Sequence, residues 1–513
     1  MRPSQLLLVP LASLTVCSLG LADVVTPRFE LRPSAEHVYT GGWEHFVGGG
    51  VAAFDCNGDS LPELFAAGGS NSAQLFVNES EPGGLLSFRS ATPDSLKITS
   101  VIGAYPLDID NDAILDLVVL RVGENLLLRG QGDCQFEPFV DIGFNGGDRW
   151  TTAFSATWET GQNLPTLAIG NYVDRDDPDG PFEACDSNEL WRPADNRYTD
   201  STILDPGFCA LSMLFSDWGR QGRADLRVSN DRHYFVRDGE EQLWATEAVP
   251  RLFTEEEGWN SHQLWGMGIA SRDLDGDGLS EVYLTSMGDQ RLQALAAEET
   301  TPSFVDAPFE FGATAHRPYT GGDGRPSTGW HAAFGDVQND GFVDLFVAKG
   351  NVEQMPGSAM DDPNNLLLGT PQIMSFQEAG LEAGIATMDK SRGAVLTDLN
   401  LDGLEDLVVV NRGAAMEIYQ NRTEPAGRWL QIVPGQADSN RFAIGAHVEV
   451  RAGERAWTQE LTVGGGHAGG VSNGLHFGLG DAVTAEVRVV WPDGVVGDWQ
   501  SVATNQRLHI NRR

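Results

Sequence analysis

From residue 51 to about 420 the chain alternates short apolar runs with polar, acid-rich turns. The runs are of strand length, too short for helices of a globular core. The second such unit shows the order clearly: an apolar run at 101–107, an acidic turn, then runs at 117–121, 125–129 and 135–140. Comparable units start with a polar residue near 55, 108, 157, 217, 273, 336 and 398, a spacing of roughly 50 to 60 residues. One acidic hairpin and about two further strands per period fit a four-stranded blade, so the pattern predicts an all-β fold, a seven-bladed β-propeller. Phe29-Glu30-Leu31 matches the outer-strand pattern of Ser303-Phe304-Val305-Asp306 and Ser375-Phe376-Gln377, whereas nothing of that kind follows 416–420. The N-terminal strand is therefore expected to complete the seventh blade and remove both sheet edges.

After this ring the pattern changes. Stretches 429–433, 445–452, 456–462, 486–491 and 507–510 alternate apolar with polar residues between turn signals such as Asp493-Gly494, which predicts a small β-sandwich over 428–513. Glu424-Pro425-Ala426-Gly427 reads as a hinge between the sandwich and a ring spanning 23–425. Residues 1–22, with Arg2, an apolar run from Leu6 to Leu21 and the small Ala22, read as a secretory signal peptide. No later segment is apolar enough to span a bilayer as a helix. Once Cys17 leaves with that peptide, four cysteines remain. Cys185 and Cys209 bracket an Asp/Pro/Asn-rich insertion and are expected to pair, which leaves Cys56 with Cys134.

The acidic turns carry the chemistry. Asp273, Asp275 and Asp277 stand two residues apart, Gly278 allows a sharp turn, the carbonyl of Leu279 adds an oxygen and Glu281 closes the set. All-oxygen donors in this spacing suit Ca²⁺. An EF-hand is excluded because its twelfth position is Leu284 and the flanks are strands. The offsets recur at Asp336, Gln338, Asp340, Phe342 and Asp344, and at Asp398, Asn400, Asp402, Leu404 and Asp406. Two earlier copies are Asp55, Asn57, Asp59, Leu61, Glu63 and Asp108, Asp110, Asp112, Ile114, Asp116. They have Ser60 and Ala113 where the others have Gly, which points to less well-formed turns or weaker ions. About five Ca²⁺ sites follow. The turns near 157–167 and 217–226 keep the apolar flanks but lose the ligands. The net charge is −39, and the five intact turns hold 17 carboxylates, so much of the acidity is local. Lys97, Lys349 and Lys390 are the only lysines; nucleic acid and anionic membranes are poor partners for such a chain.

Together these motifs carry a resemblance. The A-A-F-D-x-N-x-D and D-x-D-G-D-G units look like FG-GAP/VCBS repeats, the blades of integrin-α-type propellers. The tail series Asn440 through Ile444-Gly445-Ala446, Gly464-Gly465-Gly466, His476-Phe477-Gly478-Leu479-Gly480 and Trp491-Pro492-Asp493-Gly494 is similar to the ASPIC/UnbV domain. Their combination resembles bacterial members of the cartilage acidic protein family. The resemblance implies extracellular calcium-binding and interaction roles, with a protein or glycan as partner and no catalytic residues to carry over.

Metalloprotease, serine-hydrolase and P-loop motifs are absent. One further constellation stands out: Trp43 and His45, His262 and Trp265, and Trp330 and His331 each precede an inner strand, as do Arg149 and Trp150. In a propeller these connections gather around the axis on the face opposite the acidic turns. Two readings stand there: rings that fill the channel, or a pocket for a small ligand, glycan or transition metal. The favoured function is a secreted, calcium-stabilised binding or adhesion module. The alternative is a secreted polysaccharide lyase or hydrolase using the axial His and Trp residues.

Overall fold

The computed structural model describes residues 25–33, 36–178, 184–231, 239–296 and 301–512; the signal-peptide segment lies outside them. The chain forms seven antiparallel blades. In blades four to six the four strands follow each other from the axis outwards, as in Gly329–Gly335, Asp344–Lys349, Asn365–Gly369 and Phe376–Glu378 of blade six. Blade one runs Val51–Phe54, Glu63–Ala66, Gln74–Asn78 and Phe88–Ser90. Blades two and three are joined: Asp116–Gly130 pairs with Val101–Leu107 at its start and Phe136–Pro138 at its end, and its middle, Val122 to Asn125, pairs with the inner strand of blade three. Each inner strand packs on the next, and the seventh packs on the first, so the ring is closed.

Inner and second strands are apolar on both faces because neighbouring blades cover both sides. Val51–Phe54, Val101–Leu107 and Asp406–Arg412 are buried at every residue. Outer strands have one covered face and alternate. The N-terminal strand Phe29–Arg32 pairs antiparallel with Glu417–Asn421 and supplies the fourth strand of blade seven, as the sequence pattern requires. Phe29 points into the core between blades six and seven, while Leu31 is 60% exposed. Disulfides join Cys56 to Cys134 and Cys185 to Cys209, the first tying blade one to blade two.

The C-terminal sandwich has a three-stranded sheet containing Arg428–Gly435, Leu475–Gly480 and Gln506–Asn511, and a four-stranded sheet containing His447–Ala452, Arg455–Glu460, Thr484–Val490 and Gln500–Ala503. Its own core includes Leu430, Ile432, Val448, Val450, Phe477 and Val487. The sandwich rests on the ring face that carries the acidic turns: Arg507 donates to Ser60 O (3.1 Å), Trp457 Nε1 to Gly341 O (3.0 Å) and Asn473 Nδ2 to Asp398 O (3.0 Å).

Residues 463–472 then leave the sandwich and enter the axial channel. Ala156 N donates to Val463 O (3.3 Å), Gly465 N to Met213 O (2.7 Å), Gly466 N to Ile269 O (2.6 Å) and Ala104 N to Ala468 O (3.2 Å). His467 N donates to His331 Nδ1 (2.9 Å), and Val471–Ser472 adds a parallel strand to blade one. The inserted segment thus reaches the inner strands of blades one to six, and blade seven closes on it where Gly393 faces the His467 carbonyl. Its glycines are required sterically and conformationally, since Gly464, Gly465 and Gly466 all have positive φ. The 424–427 connection is consequently no free hinge, because ring and sandwich share one interior.

Two outcomes follow for unfolding measurements in urea. Phe29→Ala removes a buried ring from the closing strand and should cost about 3 kcal/mol, whereas Leu31→Ala stays within about 0.5 kcal/mol. At Gly103 an added Cβ would stand 1.8 Å from Ala468 O, and at Gly357 it would meet nothing within 4 Å. Gly103→Ala should therefore destabilise by about 2 kcal/mol or displace the inserted segment, and Gly357→Ala should be close to neutral.

Candidate functional site

The five acid-rich turns have one hydrogen-bond frame. In each, the first carboxylate accepts the N–H of the sixth residue: Ser60 to Asp55 (2.8 Å), Ala113 to Asp108 (3.0 Å), Gly278 to Asp273 (3.1 Å), Gly341 to Asp336 (2.7 Å) and Gly403 to Asp398 (2.8 Å). The fifth side chain accepts the seventh N–H, as in Asp277 with Leu279 (2.7 Å) and Asp112 with Ile114 (2.8 Å). The ninth accepts the second N–H, as in Glu63 with Cys56 (2.9 Å) and Asp344 with Val337 (2.8 Å). In turns two and five the frame leaves carboxylate oxygens close together, whereas in turns one and seven an amide bridges them: Asn57 Nδ2 donates to Asp59 (3.0 Å) and Glu63 (3.0 Å), and Asn400 Nδ2 to Asp402 (3.1 Å). The sixth residue is left-handed throughout, and Ser60 (φ 73°) and Ala113 (φ 71°) adopt that conformation as fully as Gly278 (φ 89°). Replacing Gly there has not altered the turn, contrary to what the sequence suggested.

Crowding raises the proton affinity of these acids. Burial first, then neighbouring carboxylates, push Asp116 and Glu281 up to about 8, Glu63 and Asp398 to about 7, and Asp108 and Asp273 to about 6. Asp336, Asp344 and Asp406 move in the same direction for the same reason. A cation at the centre would reverse that penalty. The donor chemistry fits a hard cation: ligand oxygens of Asp108, Asp110 and Asp116 lie within 4.8 Å of one another, as do those of Asp273, Asp275 and Glu281. In turn six the Gln338 amide at the third ligand position is 1% exposed, and neither its Oε1 nor its Nε2 has a hydrogen-bond partner.

Turns five and six differ in access. At the third and fifth positions Asp275 and Asp277 face solvent, whereas Gln338 is buried and Asp340 half-buried. Beside them lies a cavity of about 360 Å³ between blades five and six and the sandwich hairpin, bordered by Asp275, Phe342, Ile373, Arg455 and Trp457. The degenerate turn of blade four keeps the frame, with Gly222 N on Asp217 (2.7 Å), but its ninth acid is held by Arg223 (3.0 Å) and by Trp218 Nε1 (3.1 Å).

The six aromatic and histidine residues expected at the axis separate into three places. Trp330 and His331 do reach the channel. There they meet the chain's own segment: His467 tilts against the Trp330 ring at 5.1 Å between centroids, and Arg392 lies 4.0 Å over that ring. Burial and Arg392 hold the His467 imidazole neutral, pushed down to about 3, and burial lowers His331 to about 4. Trp43 and His45 form a short 3₁₀ turn, with Trp43 edge-on to Trp150 at 5.6 Å. His262 packs beneath the outer strands of blade five, against Trp259 (5.3 Å) and Gln293 Nε2 (3.2 Å), with Trp265 following on the way to the inner strand. The segment before that inner strand passes under the rim first, so a position "before an inner strand" does not guarantee a place at the axis. Arg149 pairs with Asp186 and Glu189, and Trp150 is buried. Sequence reasoning missed the role of 463–472. The five glycines among the seven residues 464–470, interrupted by His467 and Ala468, were the signal, because only a chain almost without side chains fits between closely spaced strands.

The family model described as ASPIC and UnbV matches residues 436–513, which take in the inserted segment and the sandwich except its first strand, and the FG-GAP-like repeat model matches residues 55–119 in blades one and two. Over 110 residues the chain is 30% identical to cartilage acidic protein 1 of Mus musculus, which is 20% of this chain and 17% of that protein. The match to the Homo sapiens protein is also 30% over 110 residues, 16% of its length. The matched stretch thus spans less than a fifth of these curated relatives. Among solved structures, BBS1N in complex with ARL6DN has a TM-score of 0.44 at 11% identity, covering 76% of this chain and 95% of that one. The Dos1 propeller has a TM-score of 0.38 at 11% identity, covering 77% and 95%. The chain is an FG-GAP-like repeat propeller carrying a C-terminal ASPIC and UnbV segment, a make-up it shares with cartilage acidic protein 1.

Proposed function

We propose that this protein is a calcium-stabilised extracellular interaction module, in which Ca²⁺ in the acidic turns rigidifies the ring and its seat for the sandwich. The observation that carries the reading is the repeated turn frame, which in turns two and five brings carboxylate oxygens within 4.8 Å of one another and in turn six holds a buried amide without a hydrogen-bond partner. Residues that would hold the ions are the alternate positions of the five turns, exemplified by Asp273, Asp275, Asp277, the Leu279 carbonyl and Glu281. A bound Ca²⁺ supplies countercharge there, and the backbone frame keeps the donors aimed without further ordering. Two disulfides and the absence, among the described residues, of a helix able to cross a membrane accord with an exported protein. With the channel filled by residues 463–472, an extracellular protein or glycan would be met by loops and rims rather than at the axis.

Chelation tests this reading. Sites filled at a hundredfold excess over their dissociation constant add about 2.7 kcal/mol each, so a chelator should lower the melting midpoint by at least about 5 °C and added Ca²⁺ should restore it. Asp275→Ala should lose part of that calcium response, and Gln221→Ala in the degenerate turn should keep all of it. An unchanged midpoint in chelator contradicts the reading.

The pH response of the chelated protein has a definite sign. The turn acids bind protons more tightly folded than unfolded, so their contribution is present at low pH and is lost as pH rises from the ordinary carboxylate range to about 8. In chelator the midpoint should fall between about pH 5 and pH 8. In saturating Ca²⁺ that fall should vanish, and calorimetry in buffers of different ionisation enthalpy should show proton release on binding.

A further inference from the structure

Resting on the calcium reading, a distinction among the turns comes from where the chain supplies its own cations. Arg129 stands on the strand Asp116–Gly130, one residue before Gly130, whose N–H donates to Asp116 Oδ1 (2.9 Å). Its guanidinium pairs with Asp110 Oδ2, lies 3.8 Å from Asp112 Oδ2 and rests 5.3 Å over the Phe139 ring. The matching place in blade six is Leu368, before Gly369 on Asp344, and in blade seven Gln420, before Asn421 on Asp406. Blades three and four also pair an arginine with a turn acid, Arg192 with Glu159 and Arg223 with Asp225, but both have lost the ligand series. Among the described residues, no lysine or arginine forms an ion pair with the ligand acids of turns one, five, six and seven.

We propose that Arg129 is the built-in counter-cation of turn two, so that this turn keeps four carboxylates yet holds calcium more weakly than turns one, five, six and seven. A divalent ion entering between Asp108, Asp110 and Asp116 must displace the guanidinium from Asp110 or settle beside a like charge. In water-like surroundings, a unit charge within a few ångströms weakens a divalent ion by about tenfold. Ala113 is not the cause, because it already holds the left-handed conformation that the frame needs. Among the ligand-bearing turns the direct ion pair is thereby confined to blade two; elsewhere arginines stand near without pairing, Arg272 by Asp273, Arg455 by Asp336 and Asp340, Arg422 by Asp402 and Arg507 by Asp55 and Asp398.

Calcium titration by calorimetry on the chelator-stripped full chain, with ions counted by native mass spectrometry, tests this. The parent should bind four ions tightly and a fifth at least about tenfold more weakly. Arg129→Gln should strengthen the fifth by about tenfold, Arg129→Lys should leave it weak, and Ala113→Gly should not change it. The proposal is overturned if Arg129→Gln leaves the fifth ion unchanged or weaker, or if Ala113→Gly gives the same gain. A parent that binds no calcium at any turn would instead overturn the calcium reading on which the proposal rests.

Discussion

Carboxylates that are buried before they have a countercharge are the constraint around which this fold is arranged. The first and ninth acids of the intact turns are buried, Asp55 alone being half-buried, because they hold the turn by accepting backbone N–H groups. Their hydrogen bonds satisfy geometry and leave the charge unsettled. The chain settles it with arginines paired directly in blades two to four and, on our reading, with ions elsewhere, where arginines such as Arg455 and Arg507 stand near the acids without pairing. Because the sandwich docks on the same face, the solution chosen at each turn also decides how firmly the sandwich is seated. Turn six shows this most directly, since Arg455 and Trp457 bond the backbone carbonyls of Asp340 and Gly341 while the turn's acids lie beneath them.

A seven-bladed ring leaves a channel at its axis, and here that channel is filled by backbone from another domain. Residues 463–472 pair with inner strands whose amides and carbonyls otherwise face an open lumen, so the insertion satisfies polar groups and excludes water together. Ring and sandwich therefore form one interior despite having separate apolar cores. A ligand site of the kind expected from Trp330 and His331 is taken by His467, which places any partner contact on the outer surfaces and turns attention to exposed turn five and its neighbouring cavity.

Much of the ring was legible in the sequence because a blade is a local object. Its period, its acidic hairpin and its apolar runs all lie within about 60 residues, and the missing outer strand of the last unit pointed back to Phe29–Arg32. Both disulfide pairings followed from cysteine arithmetic. What was not legible was non-local. His262 and Trp330 read alike in the sequence, yet one lies under a rim and the other at the axis, because His262 stands four residues before its inner strand Gly266–Arg272 whereas Trp330 lies inside Gly329–Gly335. The strands Leu475–Gly480 and Gln500–Ala503 do not stand out in the alternation, the first being interrupted by glycine and the second short and polar. Arg129 carries no motif, and its meaning comes only from standing across a strand from Asp110. Gly464–Gly466 read as a family signature, and the reason for it appears only when seven inner strands crowd around that backbone.

The central claim is that the repeated turn frame is a set of calcium sites. Long-wavelength anomalous diffraction from crystals grown in calcium would locate the ions directly. The account predicts peaks enclosed by Asp273, Asp275, Asp277 and Glu281, and by Asp336, Gln338, Asp340 and Asp344, each with oxygen neighbours at about 2.3 to 2.6 Å. Turns without peaks, with their carboxylates instead engaged only by backbone and side-chain donors, would contradict it.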